Sequence, residues 1–566
     1  MTTVVETHTT ERRAPRGGAR ALAIVLLLSA LAAAGFSGRQ TIWLDEATQI
    51  EGIALGPVDV TRWLADAGDA QEWHRRIGYA VSPDRMPPLA CYYHQAWAAA
   101  VGRLVGWPVF DPRWVLALRW SGVVCVAGAV ALTFAMARRA YGPGAAIVAA
   151  ALVGLSPTVV ERAVEIRAYP LYLLLTTAAM YCAARDVLAP GGRARWLVAA
   201  TSLGIASCYT HLEGVVFATA LMMAMLVVER GTNTAERIPN AGDRVPETGM
   251  RRGRPRVGLL LTWMAATGLM PFVRHSVSVS GNGYALSDRL LALADLAWSF
   301  AGHRIHGDAV VFLVAAAVGG LVLLVAVVRS RPAANPLTRL LLLTLGIGLA
   351  AVTVASFAVA SFKPALCSYN LWMFPVVAIA GASALRSAVP RVRGLATIGV
   401  VLVLSAHAAG ATRLALAGER VAHGADPRIV EVIRERGVHR ITVVHDAGSL
   451  GTLAQVYYPL AYFTRGAVSQ YIYDDQAAAF WGIEDRRTID PSALETDCVI
   501  VVRAGPGSLL PSRTRSPLPY PMGIAAARLA ASPRWRLAAT FSYAAMFRMT
   551  TWVFEKVPAS RGLPPL

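Results

Sequence analysis

The sequence has 566 residues, of which 55% are hydrophobic and only 16% are charged, and its mean hydropathy is +0.47. An ordinary soluble domain is about 25% charged, so these values exclude a disordered chain, a fibrous chain and a conventional cytosolic enzyme. The 54 basic residues outnumber the 35 acidic ones, giving a net charge of +19. The basic residues separate apolar blocks and do not cluster on one soluble module, which indicates membrane topology and argues against nucleic-acid binding.

Eleven apolar runs are candidates for helices that cross a hydrocarbon core of about 30 Å. The first run follows four arginines and can be read as a signal peptide, but the ten further runs favour a retained span. The fifth and sixth runs nearly abut and predict a tight helical hairpin. The predicted spans are 21–37, 114–136, 143–160, 168–184, 195–210, 213–228, 257–274, 309–328, 339–361, 369–387 and 394–411.

The loops between these spans differ in charge, and this difference predicts the orientation of the chain. Arginine-rich loops alternate with balanced or acidic ones, and the positive-inside rule assigns the arginine-rich set to the cytoplasm. The sequence therefore predicts an α-helical polytopic protein of the cell membrane, with its N-terminus in the cytoplasm. The predicted divisions are a cytoplasmic tail (1–20), a transmembrane domain (21–411) with a large first extracytoplasmic loop (38–113), a cytoplasmic loop (229–257) and an extracytoplasmic α/β domain (412–566).

The α/β character of the C-terminal domain follows from alternating helix and strand patterns. Residues 427–437 and 452–463 predict helices, the first ending at a glycine. Two interpretations of the turn 446–451 remain open, a phosphate-binding loop and an ordinary strand-to-helix turn; its incomplete glycine pattern favours the second. The predicted strands are 440–444, 499–502 and 551–554.

Ionisable residues recur at the outward-facing ends of the predicted spans. The box Trp43-Leu44-Asp45-Glu46-Ala47 follows the first span. Its adjacent carboxylates diverge by about 100° on a helix, so they cannot share one proton as a dyad. The box is either a solvated helix start or the place of a catalytic base. Further polar boxes on the same predicted face favour a functional site, and they lie at 86–94, 161–170, 209–214 and 363–369.

The order of these boxes resembles that of the bacterial GT-C glycosyltransferases, most nearly family 39, which is related to the protein O-mannosyltransferases and the aminoarabinose transferase of lipid A. The matching elements are Trp-x-Asp-Glu-Ala, Pro-Pro-Leu, Glu-x-Arg-x-Tyr-Pro and Tyr-Thr-His, within residues 20 to about 410. The family commonly has an Arg-Tyr pair before the tenth span. This sequence has Ser368-Tyr369 there, and Lys363 is the candidate replacement for the arginine.

The resemblance implies an inverting transferase that moves a sugar from a polyprenyl-phosphate carrier to a hydroxyl acceptor on the extracytoplasmic face. Mannose is the first candidate among the sugars, and the acceptor would be a glycan, lipid or protein of the cell envelope. Asp45 matches the family's first acidic residue and is the predicted general base. Arg167, His211 and Lys363, with Arg119 behind them, are the predicted cationic groups for the departing phosphate. The full predicted substrate-binding set is Glu46, His94, Arg119, Glu165, Arg167, Tyr169, His211, Lys363 and Tyr369.

Glu46 is predicted either to position the acceptor or to hold its loop. The chemistry requires no cofactor, and a divalent cation is the open alternative for stabilising charge. The expected partners are the lipid-linked donor, the envelope acceptor and membrane lipid. A transporter or flippase of lipid-linked sugars is the alternative function, and a glycan-binding scaffold is a third. A transporter would favour internal repeats and charges near mid-membrane, whereas this sequence has no convincing repeat and carries most ionisable groups at one end of its spans.

Overall fold

The computed structural model is a bundle of helices followed by a small sheet. It describes residues 16–37, 46, 49, 87–105, 112–188, 194–235, 254–270, 289–290, 293, 296, 299–300, 310–330, 335–358, 370–417, 433, 435, 437–446, 468–473, 489–504, 522–544 and 548–557. The bundle helices are α1 (Arg16–Ser37), α2 (Leu89–Val105), α3 (Pro112–Tyr141), α4 (Pro143–Gly154), α5 (Pro157–Ala163), α6 (Tyr169–Leu188), α7 (Ala194–Cys208), α8 (Gly214–Ala235), α9 (Arg254–Thr267), α10 (Val310–Arg329), α11 (Pro336–Ala358), α12 (Met373–Ala384) and α13 (Pro390–Ala417).

Helices occupy all eleven positions at which the sequence predicts a span. In the part of the chain that the structure describes, six helices are long and apolar enough to cross a membrane, or seven if α4 and α5 together form one span. The chain is therefore a polytopic α-helical membrane protein. The predicted hairpin of the fifth and sixth runs is confirmed, because α7 and α8 pack together across the turn 209–213. The total of eleven spans stays a prediction.

The run predicted as one span at 143–160 is bent. α4 and α5 meet at 60°, and the break lies between Leu155 and Pro157. Proline has no N–H to donate and is favoured at the first position of a helix, so Pro157 ends one helix and begins another. The bend directs the segment 164–168 toward α3. Gly122 permits the close approach, because a Cβ atom there would clash with the Ala163 carbonyl oxygen.

The C-terminal domain has a five-stranded mixed sheet. Its strand order is β2-β1-β3-β5-β4, with β2, β1 and β3 parallel and the last two pairings antiparallel. Apolar side chains of the sheet pack against Leu529 of the one described helix of this domain, α14 (Ile524–Ala531). The strands are β1 (Ile441–His445), β2 (Val468–Tyr473), β3 (Cys498–Ala504), β4 (Trp535–Ala544) and β5 (Arg548–Lys556).

The predicted strands 440–444, 499–502 and 551–554 correspond to β1, β3 and β5. The sequence patterns did not predict β2 and β4. Gly437 has a φ of +59°, consistent with the predicted end of the helix 427–437. The predicted helix 452–463 lies outside the described residues. Of the turn 446–451 only Asp446 is described, so both of its interpretations remain open.

Two predicted loops contain helical residues. α8 continues to Ala235 and α9 begins at Arg254, so both helices extend into the predicted cytoplasmic loop 229–257. The predicted outer loop 38–113 contains α2, and α3 begins at its end. The outer loop is therefore partly helical, and its helix α2 packs on α3.

Candidate active site

Glu46 is the centre of a buried set of hydrogen bonds. Its side chain has no exposed surface. One carboxylate oxygen accepts a hydrogen bond from Arg119 Nη2 at 3.3 Å, and the other accepts one from the Ile166 backbone N–H at 3.0 Å. A carboxylate removed from water needs such charged and N–H donors to offset the loss of hydration. Glu46 thus ties the chain after α1 to α3 and to the segment between α5 and α6.

Arg119 completes this connection. Its Nη1 donates to the Ser37 carbonyl oxygen, the last residue of α1, at 2.6 Å, and its side chain is 2% exposed. One guanidinium group therefore holds both the end of α1 and the glutamate that follows it. Of the two roles predicted for Glu46, positioning the acceptor and holding its loop, these contacts correspond to the second. The predicted substrate-binding roles of Glu46 and Arg119 stay predictions.

A second group of charges lies in the segment around α5. Arg162 forms ion pairs with Glu161 and Glu165, and all three side chains are buried. Arg162 and Glu165 are three residues apart, a spacing that brings side chains together on a helical turn. Glu165 also lies within electrostatic range of Glu46 and Arg167. The predicted residues Glu46, Glu165 and Arg167 are therefore brought together.

Tyr169 stacks against two of these arginines. The Cζ atom of Arg162 lies 5.6 Å from the centroid of the Tyr169 ring, and that of Arg167 lies 5.7 Å from it. Both distances are within the range of a cation–π contact. The tyrosine, which is the first residue of α6, thereby orients Arg167 beside the ion pairs of Arg162. Arg167 is buried, where a guanidinium acts more strongly on a neighbouring anion than it does in water.

His211 lies on the other side of Tyr169. The centroid of its ring is 5.8 Å from that of Tyr169 and 5.4 Å from that of Tyr172. Its Nδ1 accepts a hydrogen bond from the Glu213 N–H at 3.3 Å, which assigns the proton of the neutral ring to Nε2. Burial, reinforced by the charge of Arg167, lowers the pKa of His211 to about 3. The sequence predicted a cationic group here, whereas the buried imidazole is a neutral hydrogen-bond donor.

Glu213 is a buried carboxyl group that the sequence analysis did not select. Burial raises its pKa to about 7, and its Oε2 atom has no hydrogen-bond partner among the described residues. The side chain lies close enough to Tyr172 to interact with it electrostatically. The sequence could have identified Glu213 by its position two residues after the predicted site residue His211. Glu161 and Arg162 were also missed, although they adjoin the predicted Glu165 box.

His94 stands apart from these charges. It is buried on α2 with its ring centroid 5.4 Å from that of Tyr93, and burial lowers its pKa to about 4. Among the described residues, no hydrogen bond or ion pair joins it to Glu46, Arg162 or Arg167. The start of α2 is nevertheless attached to the site, because the Leu89 N–H donates to the Tyr209 carbonyl oxygen at 2.9 Å. This bond connects the Pro-Pro-Leu box with the Tyr-Thr-His box.

Three predicted site residues, Asp45, Lys363 and Tyr369, lie outside the described residues. Asp45 directly precedes the anchored Glu46 in the chain. Among the described residues, no group of three or more histidine, cysteine, aspartate or glutamate side chains is arranged to hold a metal ion. The site that the structure describes is therefore an assembly of arginines, glutamates and aromatic rings. We refer to Glu46, Arg119, Glu161, Arg162, Glu165, Arg167, Tyr169, His211 and Glu213 as the polar cluster.

Comparison with solved structures places the helices in a known arrangement. The structure superimposes on that of ArnT of Cupriavidus metallidurans in the apo state with a TM-score of 0.51 and 14% sequence identity, over 94% of this chain and 98% of that one. ArnT is an aminoarabinose transferase of the GT-C class. The chain has the GT-C fold. No family model and no curated protein matches the sequence.

Two further GT-C proteins align over much of the chain at lower scores. The Archaeoglobus fulgidus oligosaccharyltransferase, solved in complex with Zn and sulfate, gives a TM-score of 0.46 at 12% identity, covering 85% of this chain and 67% of that one. The mycobacterial arabinofuranosyltransferase AftD gives 0.43 at 15% identity, covering 97% of this chain and 42% of that one. The superposition on ArnT confirms the expected fold class, a GT-C type helical membrane domain with a small C-terminal sheet domain.

Proposed function

We propose that this protein transfers a sugar from a polyprenyl-phosphate carrier to a hydroxyl group of an envelope glycan, lipid or protein, on the extracytoplasmic face of the cell membrane. The observation that carries the proposal is the buried attachment of Glu46 to Arg119 and Ile166, in a chain with the GT-C fold. This attachment restrains the residue next to Asp45. A restrained backbone is what a general base needs in order to meet its substrate in one geometry.

In the proposed reaction the acceptor oxygen attacks the anomeric carbon of the donor sugar while Asp45 takes the hydroxyl proton. The bond between the anomeric carbon and the phosphate oxygen breaks, and the polyprenyl phosphate leaves with the electron pair. A single displacement of this kind inverts the anomeric configuration. Asp45 ends the step protonated and returns the proton to water.

The leaving phosphate gains negative charge as the bond breaks, and the polar cluster offers groups that stabilise it. Arg167 can contribute a planar pair of N–H donors that match two phosphate oxygens. His211 would add a neutral N–H donor from Nε2, and Lys363 a further charge. Tyr169 holds Arg167 in place through its ring, while Glu165 and Tyr369 complete the proposed donor site. No step requires a metal ion, and a dependence on divalent cations remains a question for experiment.

The proposal is tested by supplying purified protein in nanodiscs with radiolabelled polyprenyl-phospho-sugars and membrane extracts as acceptor. The donor panel contains mannose, arabinofuranose and galacturonate, and each donor is run with and without chelator. We expect label to appear in an acceptor with one donor, and transfer by Asp45→Asn to be lower by about 100-fold or more. No labelled product with any donor, together with movement of the intact lipid-linked sugar across the bilayer of proteoliposomes, would indicate a flippase and contradict transfer.

A further inference from the structure

Trp196 is the centre of a second group of arginines, located where α6 ends and α7 begins. The Cζ atom of Arg185 lies 4.8 Å from the centroid of the Trp196 ring, and that of Arg195 lies 5.2 Å from it. Arg185 also donates to the Tyr181 hydroxyl at 3.4 Å, and the Tyr181 ring meets Trp196 edge-on at 6.4 Å. Two guanidinium groups are thus held against one indole by aromatic contacts, a geometry that fixes both of them in space.

The charges of this group are not balanced within the described part of the chain. The ion pairs there join Arg119, Arg162 and Arg536 to glutamates, and neither Arg185 nor Arg195 takes part in one. Asp186 follows Arg185, but adjacent side chains on a helix diverge by about 100°. Two like charges close to one ring repel each other, and an anion between them would remove that repulsion.

The position of Arg195 strengthens the argument for an anion. Arg195 stands in the first turn of α7, which contains no acidic residue. The N-terminal end of a helix carries partial positive charge, so a cation there is unfavourable and an anion is favourable. The charge of Arg195 therefore lowers the stability of α7. An anion bound by Arg185 and Arg195 would make the electrostatic interaction at the start of α7 favourable.

The surroundings point to an anion attached to an apolar chain. Arg195 is exposed and Trp196 is half-buried. Val198, three residues after Arg195 and therefore on the same side of α7, is 62% exposed. Tryptophan is enriched at the boundary between lipid headgroups and hydrocarbon. A headgroup phosphate at the two arginines would thus have acyl chains running along the apolar surface of α7.

We propose that Arg185, Arg195 and Trp196 form a binding site for the phosphate headgroup of an anionic membrane phospholipid. The site lies at the end of the bundle where the arginine-rich connections are found, away from the polar cluster that the proposed reaction uses. The two guanidinium groups bind the phosphate oxygens, and the indole keeps both groups in place. The lipid would fasten α6 to α7 at this end, and so stabilise α6, which begins at Tyr169, and α7, which leads into the turn that contains His211.

The test uses the purified full-length protein in detergent. Native mass spectrometry measures binding of phosphatidylglycerol, with zwitterionic phosphatidylcholine as the comparison lipid. We expect the wild type to prefer phosphatidylglycerol, and the double variant R185Q/R195Q to bind it about 25-fold more weakly, since each of the two basic residues contributes a factor of roughly five near an anionic surface. The matched control R391Q/R393Q removes two exposed arginines from the first turn of α13 and should change binding less than twofold.

Further measurements cover the case in which the double variant does not fold. R185K/R195K keeps both charges but loses the planar stacking on Trp196, and we expect at least threefold weaker binding. Millimolar inorganic phosphate should not displace the lipid. The proposal is overturned by equal losses in the R185Q/R195Q and R391Q/R393Q variants, by no preference over phosphatidylcholine, by wild-type binding of R185K/R195K, or by displacement with inorganic phosphate.

Discussion

At each of the two ends of the bundle two arginines contact one aromatic ring, yet the two ends balance the charge differently. At one end Tyr169 contacts Arg162 and Arg167, and Arg162 is paired with two glutamates. At the other end Trp196 contacts Arg185 and Arg195, and the described residues provide no carboxylate partner. The same side-chain chemistry thus occurs once in a buried setting and once at the surface.

Burial accounts for the difference. A buried arginine requires a partner from its own chain, because removing a charge from water costs several kcal/mol when no compensating group is present. An exposed arginine can be neutralised by water, salt or a lipid headgroup, so the sequence need not supply an acid. Arg119 and Arg162 of the polar cluster are therefore paired with glutamates of the same chain, whereas Arg195, beside Trp196, is exposed.

The largest effect that would sharpen this comparison is expected from Arg119→Met. The substitution leaves the carboxylate of Glu46 buried without its cationic partner, which costs about 3–5 kcal/mol in the free energy of unfolding. The control Arg139→Met removes an exposed arginine from the end of α3 and should change stability by about 0.5 kcal/mol or less. Thermal unfolding in detergent measures both. Equal effects would show that burial of the pair does not matter.

A smaller effect, dependent on pH, is expected from Glu213→Gln. Because burial raises the pKa of Glu213 from its ordinary value of 4.5 to about 7 in the folded protein, the folded state holds this proton more tightly than the unfolded chain does. The stability of the wild type should therefore fall as pH rises from about 4.5 to 7, by about 1–3 kcal/mol at most. Glutamine cannot lose a proton, so the variant should show a flatter pH profile. Parallel profiles of the two proteins would contradict this.

The smallest effect is expected at Tyr169. Tyr169→Leu removes the ring on which Arg162 and Arg167 stack and should cost about 1 kcal/mol, the typical value of a cation–π contact. Tyr169→Phe keeps the ring and should retain most of the stability. In transfer assays the Leu variant should show a raised KM for the donor, because Arg167 is no longer oriented. If Phe and Leu were equally harmful, the hydroxyl and not the ring would be the important group.

Hydropathy was sufficient to predict helices at the eleven apolar runs, because apolar runs of about 20 residues have few alternatives to a membrane helix. It could not show the bend at Pro157, since the runs on either side are equally apolar and a proline can also be accommodated within a transmembrane helix. In the C-terminal domain, β1, β3 and β5 are rich in Val, Ile, Thr and aromatic residues. β4 was missed because its Ala538-Ala539 pair interrupts the alternating pattern that signals a strand.

The sequence predicted which residues belong to the candidate site, but not which of them contact one another. The boxes identified Glu46, Glu165, Arg167, Tyr169 and His211, which the structure brings into one neighbourhood. That Arg119 pairs with Glu46, across 73 residues of sequence, depends on the packing of α3 against the segment after α5. The neutral state of His211 depends on burial and on Arg167, neither of which a single sequence reports. Local spacing therefore identified candidates, and tertiary packing determined their charges and partners.

The measurement that tests the account most directly is donor binding and transfer rate on one preparation of Asp45→Asn. The matched control is Asp66→Asn, an aspartate of the same predicted outer loop with no proposed role. We expect Asp45→Asn to bind the polyprenyl-phospho-sugar as the wild type does, with transfer lowered by about 100-fold or more because the general base is absent. The control should keep both properties. Transfer at the wild-type rate by Asp45→Asn would contradict the assignment of the base.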